Sequence, residues 1–301
     1  MKLLVFGCTG QIGWELQRSL ATLGTVTAVS ATSGGAIATD LSDTQAIRRT
    51  LASVAPDVIV NAAAYTAVDR AEQEPALASN INADAPGVMA AYAADHGCLL
   101  VHYSTDYVFD GSGDEPWRES DTPNPLNVYG RTKLAGEQAI TASGCRHLVL
   151  RTSWVHAPRR QNFVRTMLKL ARERTTISVV DDQIGAPTPA ELVADVTARM
   201  VQQMPEGSPL SGIYHVASAG ATSWHGCASE AVRLAREAGA VLQLTPEDIN
   251  AISSADYPAA APRPKNSRLA TDKLQARFGI ELPDWRRGVA RTVCELMEHG
   301  K

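Results

Sequence analysis

Tyr129 and Lys133 stand four residues apart in Tyr129-Gly130-Arg131-Thr132-Lys133. On a helix this spacing puts a phenol and an ammonium on one face, within reach of a common substrate. A free phenol titrates near about 10 and is a poor acid at neutral pH. A neighbouring cation favours the phenolate and draws the group towards the useful range. Such a pair can hand a proton to a ketone oxygen as hydride arrives at its carbon. Chance Tyr-x-x-x-Lys spacings are common, so the chemistry rests on what accompanies the pair. Upstream, Tyr103-Ser104-Thr105-Asp106 closes an apolar run, and a hydroxyl there can hydrogen-bond the same substrate oxygen. Ser-Thr-Asp after a strand can equally turn the chain or cap a helix.

A second group of residues points to a nucleotide. Gly7-Cys8-Thr9-Gly10-Gln11-Ile12-Gly13 follows the apolar run 3–6 and opens a helical pattern. Gly7 allows a tight turn, Gly10 lets the backbone approach a pyrophosphate, and Gly13 allows close helix-on-strand packing. The spacing is GxxGxxG rather than GxGxxG, and a glycine-bearing turn without a ligand is the plain alternative. The next strand ends at Ser30-Ala31-Thr32-Ser33. No acid stands there for a ribose 2′-hydroxyl, and no arginine is adjacent for a 2′-phosphate. The expectation is use of both NADPH and NADH, with some preference for NADPH. Asp40 and Leu41 either flank the adenine or, for Asp40, cap the following helix. The small residues Ala62, Ala63 and Ala64 leave room for a flat cofactor or serve tight packing.

These residues need a scaffold. Strands are expected at 3–6, 25–29, 58–60, 99–103 and 147–150. Helices are expected at 11–23, 44–54, 76–96 (broken near Pro86-Gly87) and 129–142. Alternating strands and helices imply parallel βαβ units with right-handed crossovers. The expected class is α/β: a Rossmann-type doubly wound parallel sheet with a smaller α/β substrate-binding domain. The division is 1–155 for the dinucleotide and 156–301 mainly for substrate. Some later segments return to the first domain, with 177–180 a candidate. Further helices are expected at 163–174, 191–203 and 225–238. Residues 114–127 read as an ordered loop over the site or a lid.

The chain has 301 residues, 45% hydrophobic and 20% charged, an ordinary globular composition. A net charge of −4 argues against a nucleic-acid binder. Cys8, Cys98, Cys145, Cys227 and Cys294 are odd in number and lack CxxC spacing, which favours free thiols in a reducing compartment. No apolar run is long enough to span a bilayer or form a signal core. The expectation is a cytoplasmic protein without a membrane partner.

The segments FGCTGQIGWELQ, DVIVNAAAYTAVDRAE, HYSTDYVFDG, PLNVYGRTKLAGE, RTSWVHA, DDQIGAPTPAELVAD and RPKNSRL span nearly the whole chain. With them the sequence resembles the extended short-chain dehydrogenase/reductase family. STDYVFDG, PLNVYGRTKLAGE, RTSW and GAPT are similar to its nucleotide-sugar reductases. The resemblance implies reduction of the C4 ketone of a dTDP-4-keto-6-deoxy-L-sugar to dTDP-L-rhamnose, for envelope polysaccharide synthesis. It implies that Tyr129 protonates O4, that Lys133 lowers its pKa and holds the nicotinamide ribose, and that Thr105 tunes the transfer. It implies cofactor contacts from Gly10, Gln11, Ile12, Asp40, Leu41, Ala62, Ala63, Ala64 and Tyr103, and sugar contacts from Ser104, Thr105 and Trp154. Trp154 can also simply fill the core. Arg263 is either a partner for the substrate diphosphate or a surface arginine among prolines.

Some family members bind magnesium through glutamates at a homodimer interface, and the matching positions are Glu15, Glu191 and Glu295. Oxygen ligands suit that ion, though scattered glutamates are ordinarily just solvated. The chain departs from the family at Val155-His156-Ala157-Pro158-Arg159-Arg160, where a tyrosine and a glycine-bearing loop are more usual. Two other functions stay open. An epimerase or dehydratase on this fold would need no net reductant, and Asp106-Tyr107 does not supply the acid pair dehydratases use. A non-catalytic regulatory subunit would not need the Thr105/Tyr129/Lys133 set.

Overall fold

The computed structural model describes residues 1–32, 34–205 and 207–298; Ser33, at the end of the second strand region, lies outside them. At its centre is a parallel sheet of seven strands. Six are β1 (Lys2–Phe6), β2 (Thr25–Ser30), β3 (Ile37–Ala38), β4 (Val58–Asn61), β5 (Leu99–Thr105) and β6 (Arg146–Thr152), and Gly212–His215 is the seventh. The spatial order is Gly212–His215, β6, β5, β4, β1, β2, β3. Every neighbouring pair is parallel, with Leu3 facing Val26 on one side and Val58 on the other. The chain builds outwards from β1 to β3, then returns to β4 and builds the other way. The reversal lies between β1 and β4, where open α/β sheets leave a crevice at their carboxyl ends.

Both faces of this sheet are covered, which is why its strands are continuous apolar runs rather than alternating ones. All seven residues of β5 are buried. One face packs against α1 (Gln11–Leu20), Ala190–Gln202 and Asp272–Phe278, through Leu16, Leu20, Val193, Val196, Leu274 and Phe278. The other packs against α2 (Thr44–Val54), Ala85–His96 and Val128–Ala142, through Ile47, Leu51, Met89, Ala93 and Ile140. A separate core joins the Phe163–Glu173, Trp224–Glu237 and Trp285–Glu298 helices, through Leu168, Val232 and Val289.

Several expectations need correction. Residues 177–180 do not return to the large sheet: Ile177–Val180 pairs in parallel with Ile249–Ile252 beside the separate core. The segments that do return are the Ala190–Gln202 and Asp272–Phe278 helices and the Gly212–His215 strand. The expected helix 76–96 is broken before Pro86-Gly87, by a π-helical turn at Asn80–Asp84 in which the Ala85 N–H bonds the Asn80 carbonyl. Pro86 has no N–H to offer the carbonyl four residues back, and a one-residue bulge absorbs the mismatch. Residues 114–127 form neither a roof nor a lid: Trp117 stacks on Phe109 at 4.6 Å and bridges to Leu269, away from the cleft. The Trp285–Glu298 helix has no counterpart in the sequence reading.

Candidate active site

A cleft of about 690 Å³ opens at the carboxyl edge of β1, β4 and β5. Its floor at one end is the glycine loop. Gly7 has φ +79°, and a Cβ there would lie 2.6 Å from the Ala63 nitrogen. Gly13 does not line the cleft; a side chain there would be driven into the Gly7 carbonyl, so this glycine sets the approach of α1. Gly10 caps α1 with no side-chain hydrogen bond, and the first turn of α1 carries no acid. The first amides of α1 therefore stay available to an anion, with the helix dipole adding to their pull. Gly7, Gly10, Gln11, Ile12, Leu41, Ala62, Ala63, Ala64 and Tyr103 all line the cleft. Asp40 is exposed and outside the lining; its carboxylate accepts the Ser42 N–H, and Asp43 caps α2. The helix-cap reading of Asp40 is thus corrected by three positions.

The other end of the cleft brings Thr105, Asp106, Tyr129 and Lys133 together. Thr105 ends β5, and Tyr129 is in the first turn of the Val128–Ala142 helix. Asn127 starts that helix by accepting the Gly130 N–H at 2.8 Å. The Tyr129 ring meets Tyr107 edge-on with centroids 5.6 Å apart. Burial pushes the phenol up to about 12; the Thr105 hydroxyl beside it acts in the opposite sense, and the Asp106 carboxylate reinforces the rise.

Lys133 shares the cleft with Tyr129, as its spacing predicts, but it is not among the groups that shift the phenol. Its Nζ donates to the Tyr103 carbonyl at 2.6 Å and lies 3.1 Å from His102 Nε2. The ammonium is turned into the sheet and is not what governs Tyr129. Desolvation lowers it to about 8, with partial relief from Glu137 one turn on. His102 is buried and held neutral by the same desolvation. Its Nδ1 meets Asn61 Nδ2 at 3.1 Å, and Asn61 Oδ1 accepts the Ala63 N–H at 3.2 Å. A hydrogen-bonded line thus runs from the Lys133 ammonium to the backbone after β4.

Other site residues fall into three groups. Ser104 lines the cleft, but its hydroxyl donates to Glu137, which is bound by Arg151 Nε at 2.9 Å and Nη2 at 2.6 Å. That hydroxyl serves a buried ion pair rather than a sugar. Trp154 does not fill the core: half-buried, it lines the cleft and stacks on Trp224 with centroids 3.5 Å apart. Arg263 does not line the cleft. Its Nη2 donates to Asp69 at 2.7 Å, because the proline loop folds back onto the Val68–Ala71 helix.

The three glutamates do gather, but around arginines. Arg291 Nε lies 3.0 Å from Glu191 and 3.2 Å from Glu295, and Arg18 lies 3.6 Å from Glu15. No group arranged to hold a metal ion exists among the described residues. In the single chain these glutamates are therefore paired with arginines rather than with an ion.

Asp106, Thr152 and Arg160 are among the cleft residues that sequence reasoning did not assign. Asp106 is buried, its Oδ2 has no partner among the described residues, and burial raises its carboxyl to about 6. The Thr152 hydroxyl is likewise buried and unpartnered. Asp106 was signalled by its place beside Thr105. Thr152 lay inside the RTSW motif, whereas Arg160 carried no local signal.

A family profile described as "RmlD substrate binding domain" matches residues 1–298. The dTDP-4-dehydrorhamnose reductase of Salmonella typhimurium is 49% identical over 296 residues, covering 98% of each chain. The crystal structure of a dTDP-4-dehydrorhamnose reductase from Clostridium acetobutylicum superposes with a TM-score of 0.89 at 32% identity, covering 98% of this chain and 99% of that one. One from Bacillus anthracis in complex with NADP superposes with a TM-score of 0.88 at 32% identity and the same coverage.

Proposed function

From the fact that the chain belongs to the RmlD substrate binding domain family, we propose that it reduces the C4 ketone of dTDP-4-dehydro-6-deoxy-L-mannose to dTDP-L-rhamnose, using NADPH or NADH. The observation that carries this reading is the meeting of Thr105 and Tyr129 in one cleft whose far end is the uncapped start of α1. We assign residues 1–155 mainly to the dinucleotide and 156–301 mainly to the sugar nucleotide.

The α1 amides, with Gly7, Gly10, Gln11 and Ile12, would hold the dinucleotide, and Ala62 to Ala64 leave flat space beside it. The reduced nicotinamide, when bound, supplies a hydride. Tyr129 holds a proton at its phenol oxygen and presents it to the ketone oxygen O4. Thr105 orients that oxygen by a second hydrogen bond. The high pKa of Tyr129 keeps the proton in place across the neutral range, and an alkoxide-like O4 is basic enough to take it. Trp154 closes one wall against water.

The fitting setting is cytoplasmic, with a homodimer as the assembly and no nucleic acid or membrane partner. No described helix is long and apolar enough to cross a membrane. Magnesium is left out, since arginines hold the three glutamates.

The test is to mix the protein with NADPH and dTDP-4-dehydro-6-deoxy-L-mannose, follow oxidation of the nicotinamide and identify the sugar by NMR. Equimolar NADPH oxidation and dTDP-L-rhamnose formation are expected. Sugar isomerisation without net oxidation would instead mark an epimerase. No turnover, with tight binding to another enzyme, would mark a regulatory subunit.

A further inference from the structure

We infer that Arg160 recognises the adenosine 2′-phosphate of NADPH and so biases the cleft towards the phosphorylated cofactor. The inference rests on the dinucleotide reading of the cleft. By sequence, the end of β2 offers no cation for that phosphate: Ser30, Ala31 and Thr32 are small or neutral. The fold supplies one from 130 residues further along. Arg160 lies in the loop between Val155–His156 and the Phe163–Glu173 helix, and its side chain crosses to the glycine loop. There its Nε donates to the Thr9 carbonyl at 2.6 Å.

Thr9 marks the ribose end of the cleft. The thiol of Cys8 approaches the Gly34 carbonyl at 3.8 Å, and a Cβ on Gly34 would lie 3.0 Å from the Thr9 methyl. Arg160 is thus anchored where the glycine loop meets the segment after β2, the place that selects between a 2′-hydroxyl and a 2′-phosphate in doubly wound folds. It lines the cleft with Ser30 and Ala31.

The rest of the geometry leaves the guanidinium free for this task. With Nε held by Thr9, the two terminal nitrogens have no ion-pair partner among the described residues. A guanidinium fork matches two oxygens of a phosphate. The diphosphate already has the start of α1, and Lys133 is tied to Tyr103 and His102 at the other end. The backbone of Arg160 is left-handed, φ +59°, a conformation that a residue with a side chain adopts at a cost. Asn162 holds it there, donating to the Arg160 carbonyl at 3.3 Å and to Gln11 Oε1 at 2.9 Å. The neighbouring Arg159 points elsewhere, 4.2 Å over the Trp14 ring.

The experiment measures dissociation constants of NADPH, NADH, adenosine 2′,5′-bisphosphate and ADP for the wild-type protein, Arg160→Gly and Arg160→Lys by calorimetry. Glycine suits the left-handed backbone, so the first variant removes the side chain without straining the loop. The expected result is a loss of about tenfold or more for the two 2′-phosphorylated ligands in Arg160→Gly, with NADH and ADP changing less than about threefold. Arg160→Lys should fall between, since it keeps the charge but loses the fork. An equal loss for all four ligands would identify a diphosphate clamp and overturn the inference, as would no loss for any. If Arg160→Gly does not fold, wild-type protein that binds the bisphosphate no better than ADP overturns it. Wild-type protein that binds none of the four sinks the dinucleotide reading itself, and this inference with it.

Discussion

Tyr129 is a phenol that burial makes hard to ionise, at about 12. For a dehydrogenase working towards the ketone this would be a handicap, because its base must be ready. For a reductase it is useful, because the acid must arrive loaded and the developing alkoxide is a stronger base than phenolate. Tyr129→Phe should therefore lower turnover by about 10²- to 10⁴-fold, with NADPH affinity changed only a few-fold. Stopped-flow reduction and a binding titration would check both, and near-normal turnover would remove Tyr129 from the reaction. Lys133 makes a different prediction. Its folded value of about 8 lies below the ordinary 10.5. Below about pH 8 the folded protein carries the full cost of a buried ammonium. As pH rises towards 10.5 the folded state sheds the proton while the unfolded chain keeps it, so stability rises. Wild type should thus gain on Lys133→Met between those values, by roughly 3 kcal/mol at most. Urea unfolding of both proteins at the two ends of the window measures it; a constant gap would mean that Lys133 is not desolvated in solution.

At the scale of elements, the site depends on how closely α1 approaches β1. Gly13 has no room for a side chain because the Gly7 carbonyl lies beneath it. Gly13→Ala should push α1 outwards, cost about 1–3 kcal/mol and weaken NADPH binding more than tenfold. Thermal unfolding and a fluorescence titration would show this, and a variant that binds NADPH normally would mean that the approach is not limiting. A second element-level feature is the Val128–Ala142 helix, which carries Tyr129, Lys133 and Glu137 on successive turns. Glu137 pairs with Arg151 of β6, both side chains 2% exposed, and thereby locks the helix to the sheet. This explains why the Ser104 hydroxyl turns away from the cleft: a buried carboxylate needs donors for its oxygens.

For the whole molecule, the buried imidazoles set the response to acid. Burial holds His156 at about 4 and His215 at about 3, against the ordinary 6.5. Between 6.5 and those values the unfolded chain takes up protons that the folded one refuses, so stability falls as pH drops through that window. Asp106 opposes this, because its carboxyl, raised to about 6, binds a proton when folded before it would when unfolded. With His102, which burial also holds neutral, three imidazoles outweigh one carboxyl. The urea midpoint should fall between about pH 6.5 and about pH 4.5, and His156→Gln should flatten the fall. An acid-insensitive midpoint would show that the imidazoles reach solvent. His156 also bonds Thr292 of the Trp285–Glu298 helix at 3.0 Å, so its protonation bears on how that helix is held.

The strands, the glycine loop and the Tyr129/Lys133 spacing were legible in the chain because each is a local signal: an apolar run, a turn residue, a helical repeat. The parallel class followed from their alternation, and the family resemblance followed from long contiguous motifs. What local pattern does not encode is which distant groups share a volume. The return of Gly212–His215 to the sheet, the capture of Arg263 by Asp69, the turning of Lys133 towards His102 and the arrival of Arg160 at Thr9 all join residues tens to more than a hundred positions apart. Only packing decides such pairings, because the hydrogen bonds and charges that settle them do not exist until the two segments have been brought together and dehydrated.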